Sequence, residues 1–421
     1  MKNYPLVLIG IILVGCTYYT NEPIKIPQPE VPDPTTTLEA SFVTTPPNKI
    51  TSKYWKTADY LPIAAQNLTT LQIPPADGIF NVSGSLNGLS DFNNGKNPAI
   101  TLKAAYSNDS IYILISWKDT LYNISKTNWI YNGPTDPNKP GSTLGWTSQR
   151  STDAFVFSFD MTGGKRDVWN WSFALSEPLG FAIDMVDNSG TISNDTGNKS
   201  YVRNINGATD RSGPMYDWDG VQQELQRIPS GFTILDPGYY LLNKKLFTGD
   251  LLNGESIYQG ECALCHGTIG DGEGTIYPVG IALNKPGQFN RWTQSALDAF
   301  APNGGQHEGA SHYPSDQTDR EDLFARLRGF SGIPGYYLQN PTGSSSDIRA
   351  YSNVQLAKIE KYNEKGYSVL LARKLNTGNA DDIVFNPAQM QYNFNFSVTN
   401  DDELNKIGLI NQQITFKPKT Q

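Results

Sequence analysis

The chain has 421 residues, of which 38% are hydrophobic and 18% charged, and 33 Lys and Arg against 41 Asp and Glu leave a net charge of -8. That length holds two or three domains, and the acidic balance argues against nucleic acid or an anionic lipid surface as an electrostatic partner. With three Cys and three His in total, a disulfide framework is excluded and metal or redox chemistry is confined to few positions.

After Lys2 a short apolar run ends in Leu13-Val14-Gly15-Cys16. It is too short to span a bilayer and reads as a signal peptide over residues 1–15. The tetrapeptide resembles the lipobox of bacterial lipoproteins, in which Cys16 becomes the acylated first residue and anchors the chain by burying methylenes in one leaflet. The alternative is an ordinary secretory peptide with a chance cysteine. By analogy with lipoprotein sorting, Thr17 after that cysteine, in place of Asp, points to the outer membrane. The chain is then expected in the cell envelope, lipid-anchored at the outer membrane or another periplasm-facing surface. From 16 to 47, seven prolines from Pro23 to Pro47 stand among threonines and charges, the composition of a tether that cannot bury a core.

Beyond the tether the dominant signal is period-two alternation. Ile111-Tyr112-Ile113-Leu114-Ile115-Ser116-Trp117 puts its odd positions on one apolar face, and Tyr392-Asn393-Phe394-Asn395-Phe396-Ser397-Val398 alternates more cleanly. Phe155, Phe157 and Phe159 repeat the pattern, as do Tyr367, Val369 and Leu371. Turn clusters of Asn, Gly, Asp and Ser separate these runs, which predicts a mainly β fold, an antiparallel β-sandwich. The texture changes between 250 and 341. There Asn253 to Glu261 is expected as a helix, and Thr318-Asp319-Arg320-Glu321 reads as a capping box opening a helix through Arg328. Alternation then resumes in a stretch too short to build a sandwich alone. The expected order is therefore sandwich (48–249), inserted small α-helical module (250–341), sandwich again (342–421).

Within that module lies Cys262-Ala263-Leu264-Cys265-His266. C-x-x-C-H is the attachment signature of a c-type haem, with both thiols holding the porphyrin and His266 the proximal iron ligand. A redox Cys-x-x-Cys needs a βαβ setting and a zinc site needs two further paired ligands, and neither is evident. The stretch from Gly254 through Gly267, followed by Gly270-Asp271-Gly272-Glu273-Gly274, resembles class I cytochrome c domains, in which a helix ending in the haem motif precedes a glycine-rich loop. That resemblance implies a sixth iron ligand before the C-terminal helix, where the family has Met. No Met stands between Met215 and Met390 here, and the only other histidines, His307 and His312, occupy that region. His312 is the expected distal ligand, with His307 as the alternative; a second imidazole would lower the reduction potential relative to His/Met ligation. If neither ligates, the iron is five-coordinate.

A second resemblance spans the β segments. Residues 111–119, Asp153-Ala154-Phe155-Val156-Phe157, Asp167-Val168-Trp169-Asn170-Trp171 and Arg373-Lys374-Leu375 followed by Asp381-Asp382 are similar to the haem-binding domain of the ethylbenzene dehydrogenase gamma-subunit family. That family serves as electron-transfer subunits beside molybdenum enzymes, and several members hold a non-covalent haem b between a Met and a Lys. The resemblance implies Met161 and Lys406 as the corresponding candidates. Asn170 inside Trp169-Asn170-Trp171 excludes a His ligand at that point.

The sequence thus predicts an exported, lipid-anchored c-type cytochrome that passes single electrons in a respiratory or molybdenum-oxidoreductase-linked chain, with haem c and a second haem b. Its partners would be a redox protein, such as a molybdenum oxidoreductase or another cytochrome, and the membrane through the N-terminal lipid. All three histidines fall in the module, so no Ser-His-Asp site can be built, and Gly270 to Gly274 follows the haem motif and opens no phosphate loop. The rival readings are a peroxidase-like or small-molecule-reducing haem enzyme at an open iron position, and a ligand-binding sandwich with an accessory haem.

Overall fold

The computed structural model describes residues 37–63, 100–118, 124–131, 145–206, 213–218, 244–276, 281–284, 289, 292–302, 312–352, 366–399 and 406–419. The expected signal peptide, Cys16, most of the tether and His307 lie outside the described residues. The strands in chain order are β1 (Leu38–Phe42), β2 (Leu61–Ile63), β3 (Ile100–Tyr106), β4 (Ser110–Lys118), β5 (Ile124–Tyr131), β6 (Trp146–Thr152), β7 (Ala154–Asp160), β8 (Lys165–Ser172), β9 (Ile183–Asn188) and β10 (Thr191–Asn194). There follow β11 (Tyr201–Arg203), β12 (Tyr216–Trp218), β13 (Lys244–Leu246), β14 (Ile333–Pro334), β15 (Tyr336–Leu338), β16 (Arg349–Ser352), β17 (Gly366–Lys374), β18 (Gln391–Thr399) and β19 (Lys406–Phe416). The helices are α1 (Tyr54–Thr57), α2 (Leu251–Ile257), α3 (Ala263–His266), α4 (Gln294–Phe300) and α5 (Gln317–Ser331).

One large sheet dominates, in the order β10-β9-β8-β7-β18-β19-β1-β3-β4-β17-β16, with β2 added on β3. The expected alternating runs all lie in it, and their inward residues share one core: Ile111, Ile113, Ile115 and Trp117 of β4, Phe155, Phe157 and Phe159 of β7, Tyr367, Val369 and Leu371 of β17, and Tyr392, Phe394, Phe396 and Val398 of β18. β4 and β7 are well separated in strand order, yet the Trp117 and Phe155 rings are 5.9 Å apart and Trp171 of β8 meets Tyr367 of β17 at 5.7 Å. The sheet therefore curls over itself into two facing layers, each fully buried aromatic contributing about 1.5–3 kcal/mol of burial free energy. The other face is covered in places too: Tyr112, Leu114 and Leu370 pack with Trp55 of α1, and Val168, Ile183 and Met185 pack with Tyr201, Tyr336 and Leu338.

The fold is mainly β, but the sheet is mixed, which corrects the antiparallel expectation. β1 runs parallel to both of its neighbours, β19 and β3. It arises from residues assigned to the tether, and no hairpin ties it to either neighbour, so nothing forces it to run antiparallel. Leu38 and Ala40 are fully buried, so the folded part begins earlier than residue 48. The strands from 349 onward complete the sheet begun by β1 to β10, with β17 on β4, β18 on β7 and β19 on β1. Among the described residues, 195–348 add no strand to it. Nor do β5 and β6, expected in the sandwich; they pair with β14, while β11 pairs with β15 and β12 with β13.

Near the loop that follows β17, the Arg373 guanidinium is fully buried against Asp167 (3.2 Å) and Asp382 (3.1 Å), whose side chains are buried as well. Burial pushes the Asp167 carboxyl up to about 6, the attraction of Arg373 offsetting only part of that cost.

Candidate functional site

The chain from Asp250 to Gly267 is one helical run with a defect. The Asp250 carboxylate caps α2 by accepting from Leu252 N (2.8 Å) and Asn253 N (3.2 Å). Residues Tyr258–Cys262 then widen into a π-turn before α3 resumes at Ala263. The expected helix over Asn253 to Glu261 is thus present but longer and interrupted, and π-turns of this kind concentrate at functional sites.

α5 crosses α2 closely. A Cβ on Gly254 would stand 2.7 Å from the Asp322 carbonyl carbon and 3.1 Å from Arg326 Cβ. Below the crossing, Tyr258 packs edge-on against Phe330 at 4.8 Å and donates to Gly267 O at 2.7 Å, tying the end of the Cys262 to His266 turn to the helix that carries it. Arg326 pairs with Glu255, lies 3.4 Å over the Phe330 ring and donates to Tyr131 O of β5 at 3.0 Å. α5 itself is capped by Asp316, which accepts from Thr318 N (2.8 Å) and Asp319 N (3.3 Å). The capping box expected at Thr318 is therefore displaced: Thr318 already lies in the first turn, and the helix runs past Arg328 to Ser331.

Both motif cysteines are free thiols, not a disulfide. Burial, then the neighbouring Glu261 carboxylate, pushes the Cys262 thiol up to about 12, opposite to what thiol–disulfide exchange or zinc ligation requires. Nor, among the described residues, do Cys262, Cys265 and His266 bring donor atoms to a common point as zinc ligands do. His266 Nδ1 lies 2.8 Å from Ile281 O. A carbonyl can only accept, so this bond assigns the proton to Nδ1 and the lone pair to Nε2, the arrangement that orients an imidazole for metal ligation.

The glycine loop wraps this turn. Gly272 N donates to His266 O (2.8 Å) and Ile276 N to Leu264 O (3.1 Å), and a Cβ on Gly274 would come within 2.5 Å of the Cys265 carbonyl oxygen. In this helical segment Leu264 of the turn, Ile269 and Ile276 of the loop, Ile281 beside His266 and Phe300 of α4 are all about half or more exposed, which accounts for five of the ten large hydrophobics most open to solvent among the described residues. Such a collar on a small helical unit marks a surface that an apolar partner covers. Two unbonded thiols on one turn, an oriented imidazole and this collar fit a porphyrin attached at Cys262 and Cys265.

His312 stands at the same end of the segment, exposed, with Nδ1 3.2 Å from Glu261 Oε2, the residue before Cys262. The structure thus brings His312 beside the motif. It does not bring Met161 and Lys406 together. Met161 follows the end of β7 and packs partly buried against the main core. The backbone of Lys406 is level with Ala154 at the opposite end of β7, through Thr399. Seven residues of strand separate the two positions, about 23 Å, more than a methionine and a lysine side chain span with one iron between them. The motifs follow the family's order along the chain, but register puts Met161 and Lys406 at opposite ends of a strand.

Among the described residues no helix is long and apolar enough to cross a membrane. Compared with protein-family models the chain matches none, and no curated protein matches it.

Proposed function

We propose that the protein is an exported, lipid-anchored, monohaem c-type cytochrome that passes single electrons between redox partners. The observation that carries this reading is the Cys262 to His266 turn, with its free thiols, the Nδ1 bond of His266 to Ile281 O and the half-exposed apolar collar. Haem, when bound, supplies a one-electron Fe(III)/Fe(II) couple. The chain's own contribution is to hold the imidazole by Nδ1, to offer the exposed apolar side chains of Leu264, Ile276 and Ile281 that a porphyrin would cover, and to fix the turn through Tyr258 and the α2–α5 crossing. α5 docks through Arg326 on Tyr131 of β5, in the small sheet that β5 forms with β6 and β14. Such a cytochrome fits a respiratory or molybdenum-oxidoreductase-linked chain at the periplasmic face of the envelope.

The test uses protein made in a bacterial host that matures c-type cytochromes. Haem should stay with the denatured chain on a gel, the pyridine haemochrome should show about one c-type haem and no b-type per chain, and radioactive palmitate should label Cys16. Cys262→Ala with Cys265→Ala should abolish covalent haem; complete extraction of wild-type haem into acidified solvent would sink the proposal.

The distal ligand is read separately. With His312 beside the motif, His312→Ala should convert a six-coordinate low-spin spectrum to a high-spin one that shifts with cyanide, and His307→Ala should leave the spectrum unchanged. The reverse pattern would move the ligand to His307, and a high-spin wild type would remove both.

A further inference from the structure

Asp184 of β9 is completely buried, and neither of its carboxylate oxygens has a hydrogen-bond partner among the described residues other than neighbouring carboxyl groups. It pairs with Trp169 across the ladder, so it shares a face with Asp167, two residues away on β8. Oxygens of Asp167, Asp184 and Asp382 lie within 4.8 Å of one another, and so do oxygens of Asp195, Asp381 and Asp382. Five carboxylates thus converge from β8, β9, the turn after β10 and the loop after β17. Arg373 pairs with Asp167 and Asp382, whereas the buried Asp195 and Asp184 have no partner among the described residues other than neighbouring carboxyl groups.

Ionised carboxylates offer one another only acceptors, and an uncompensated buried charge is too costly to retain. The cluster is therefore satisfied by shared protons or by a cation. Access favours the cation. A groove of about 660 Å³, lined by Asp381, Asp347, Ser344, Thr377 and Asn379, opens to solvent beside the cluster and gives an ion a way in. The Asp381 carboxylate is already aimed by Thr196 N (3.3 Å) and Ser344 Oγ (3.2 Å). An all-oxygen donor set selects a hard cation, and oxygens bound to one calcium at about 2.4 Å stand at most about 4.8 Å apart, a limit that each triad meets.

We propose that Asp195, Asp381 and Asp382 form a calcium site that locks the turn after β10 to the loop after β17. One divalent ion with Arg373 offsets three of the five negative charges.

The full-length protein, stripped with EGTA, is tested with calcium chloride by equilibrium dialysis with radioactive calcium and by thermal unfolding. It should take up about one calcium per chain and gain several degrees in Tm at saturating calcium, with a much smaller gain from magnesium. Asp195→Asn and Asp381→Asn should each weaken binding by roughly tenfold or more and remove the calcium-dependent part of the Tm gain. Because Asn deletes a like charge, the Tm without calcium need not fall, so the calcium-dependent difference separates ligation from damage to the fold. Wild type that binds no calcium and melts identically in EGTA and in calcium would show a proton-sharing carboxyl cluster and overturn the proposal. Undiminished binding in both variants would place the ion elsewhere and overturn it equally.

Discussion

Gly254→Ala should destabilise the protein by about 3 kcal/mol, although alanine is a better helix former than glycine by about 1 kcal/mol. The sign is decided by the α2–α5 crossing, where the new methyl would lie 2.7 Å from the Asp322 carbonyl carbon and 3.1 Å from Arg326 Cβ. Backbone cannot swing aside as a side chain can, so the two helices must part. Parting them loosens the Asp322 acceptor of Asp250 N (2.6 Å) and Asn253 Nδ2 (2.9 Å), the Glu255–Arg326 pair and the Tyr258–Phe330 contact together. The control is six residues away. A Cβ on Gly260 meets nothing within 4 Å, so Gly260→Ala should be neutral or stabilise by up to about 1 kcal/mol. Urea unfolding of both variants decides, and equal stability of Gly254→Ala and wild type would mean that the crossing is looser than described. Because α2 leads into the turn that carries the two thiols, Gly254→Ala should also lower the covalent haem found per chain.

The elements legible in the sequence are those whose largest apolar side chains recur at every second residue. β4, β7, β17 and β18 each present every second residue to one core, and alternation reports that directly. β1 was hidden because only Leu38 and Ala40 of its five residues are buried, among prolines and threonines that read as tether; its parallel direction leaves no mark, since alternation is the same either way. At α5 two cap signals overlapped. Thr318 with Glu321 matches a capping box, but Asp316 reaches the free N–H groups first. The Cys262 to His266 motif was legible as chemistry, while the second bond of its imidazole was not, because the partner is the Ile281 carbonyl and every residue has one. The distance between Met161 and Lys406 was illegible for a related reason: order along the chain carries no distance, and register alone separates the two. The carboxylate cluster shows the converse, since Asp184 and Asp382 are nearly two hundred residues apart and meet only when the sheet and the loop after β17 close.

Arg373→Met should cost about 3–5 kcal/mol, the largest effect expected of any single replacement in the sheet. Methionine fills much of the space of the arginine stem, so the loss is chiefly electrostatic. Arg373 is the ion-pair partner of Asp167 and of Asp382, donates to Ile383 O at 3.2 Å, and lies 5.1 Å over the Trp169 ring. Without it Asp167 keeps the Ile383 amide at 2.9 Å, and Asp382 keeps Thr377 and Asn379, which are hydrogen bonds but no compensating charge. Removing one side of a buried pair leaves the other stranded, whereas removing both is often nearly neutral. Asp167→Leu added to Arg373→Met should therefore recover more than half of the loss, because position 167 stands between Phe159 and Val186 in the ladder, where an apolar side chain has apolar neighbours. Arg373→Lys, which keeps the charge but cannot fork to two carboxylates, should fall between wild type and Arg373→Met. Urea unfolding in EGTA keeps metal binding out of the comparison. A single-variant loss below about 1 kcal/mol, or strictly additive losses in the double variant, would mean that Asp167 is neutralised by something other than the guanidinium, and that the buried pair does not hold the loop after β17 to the sheet.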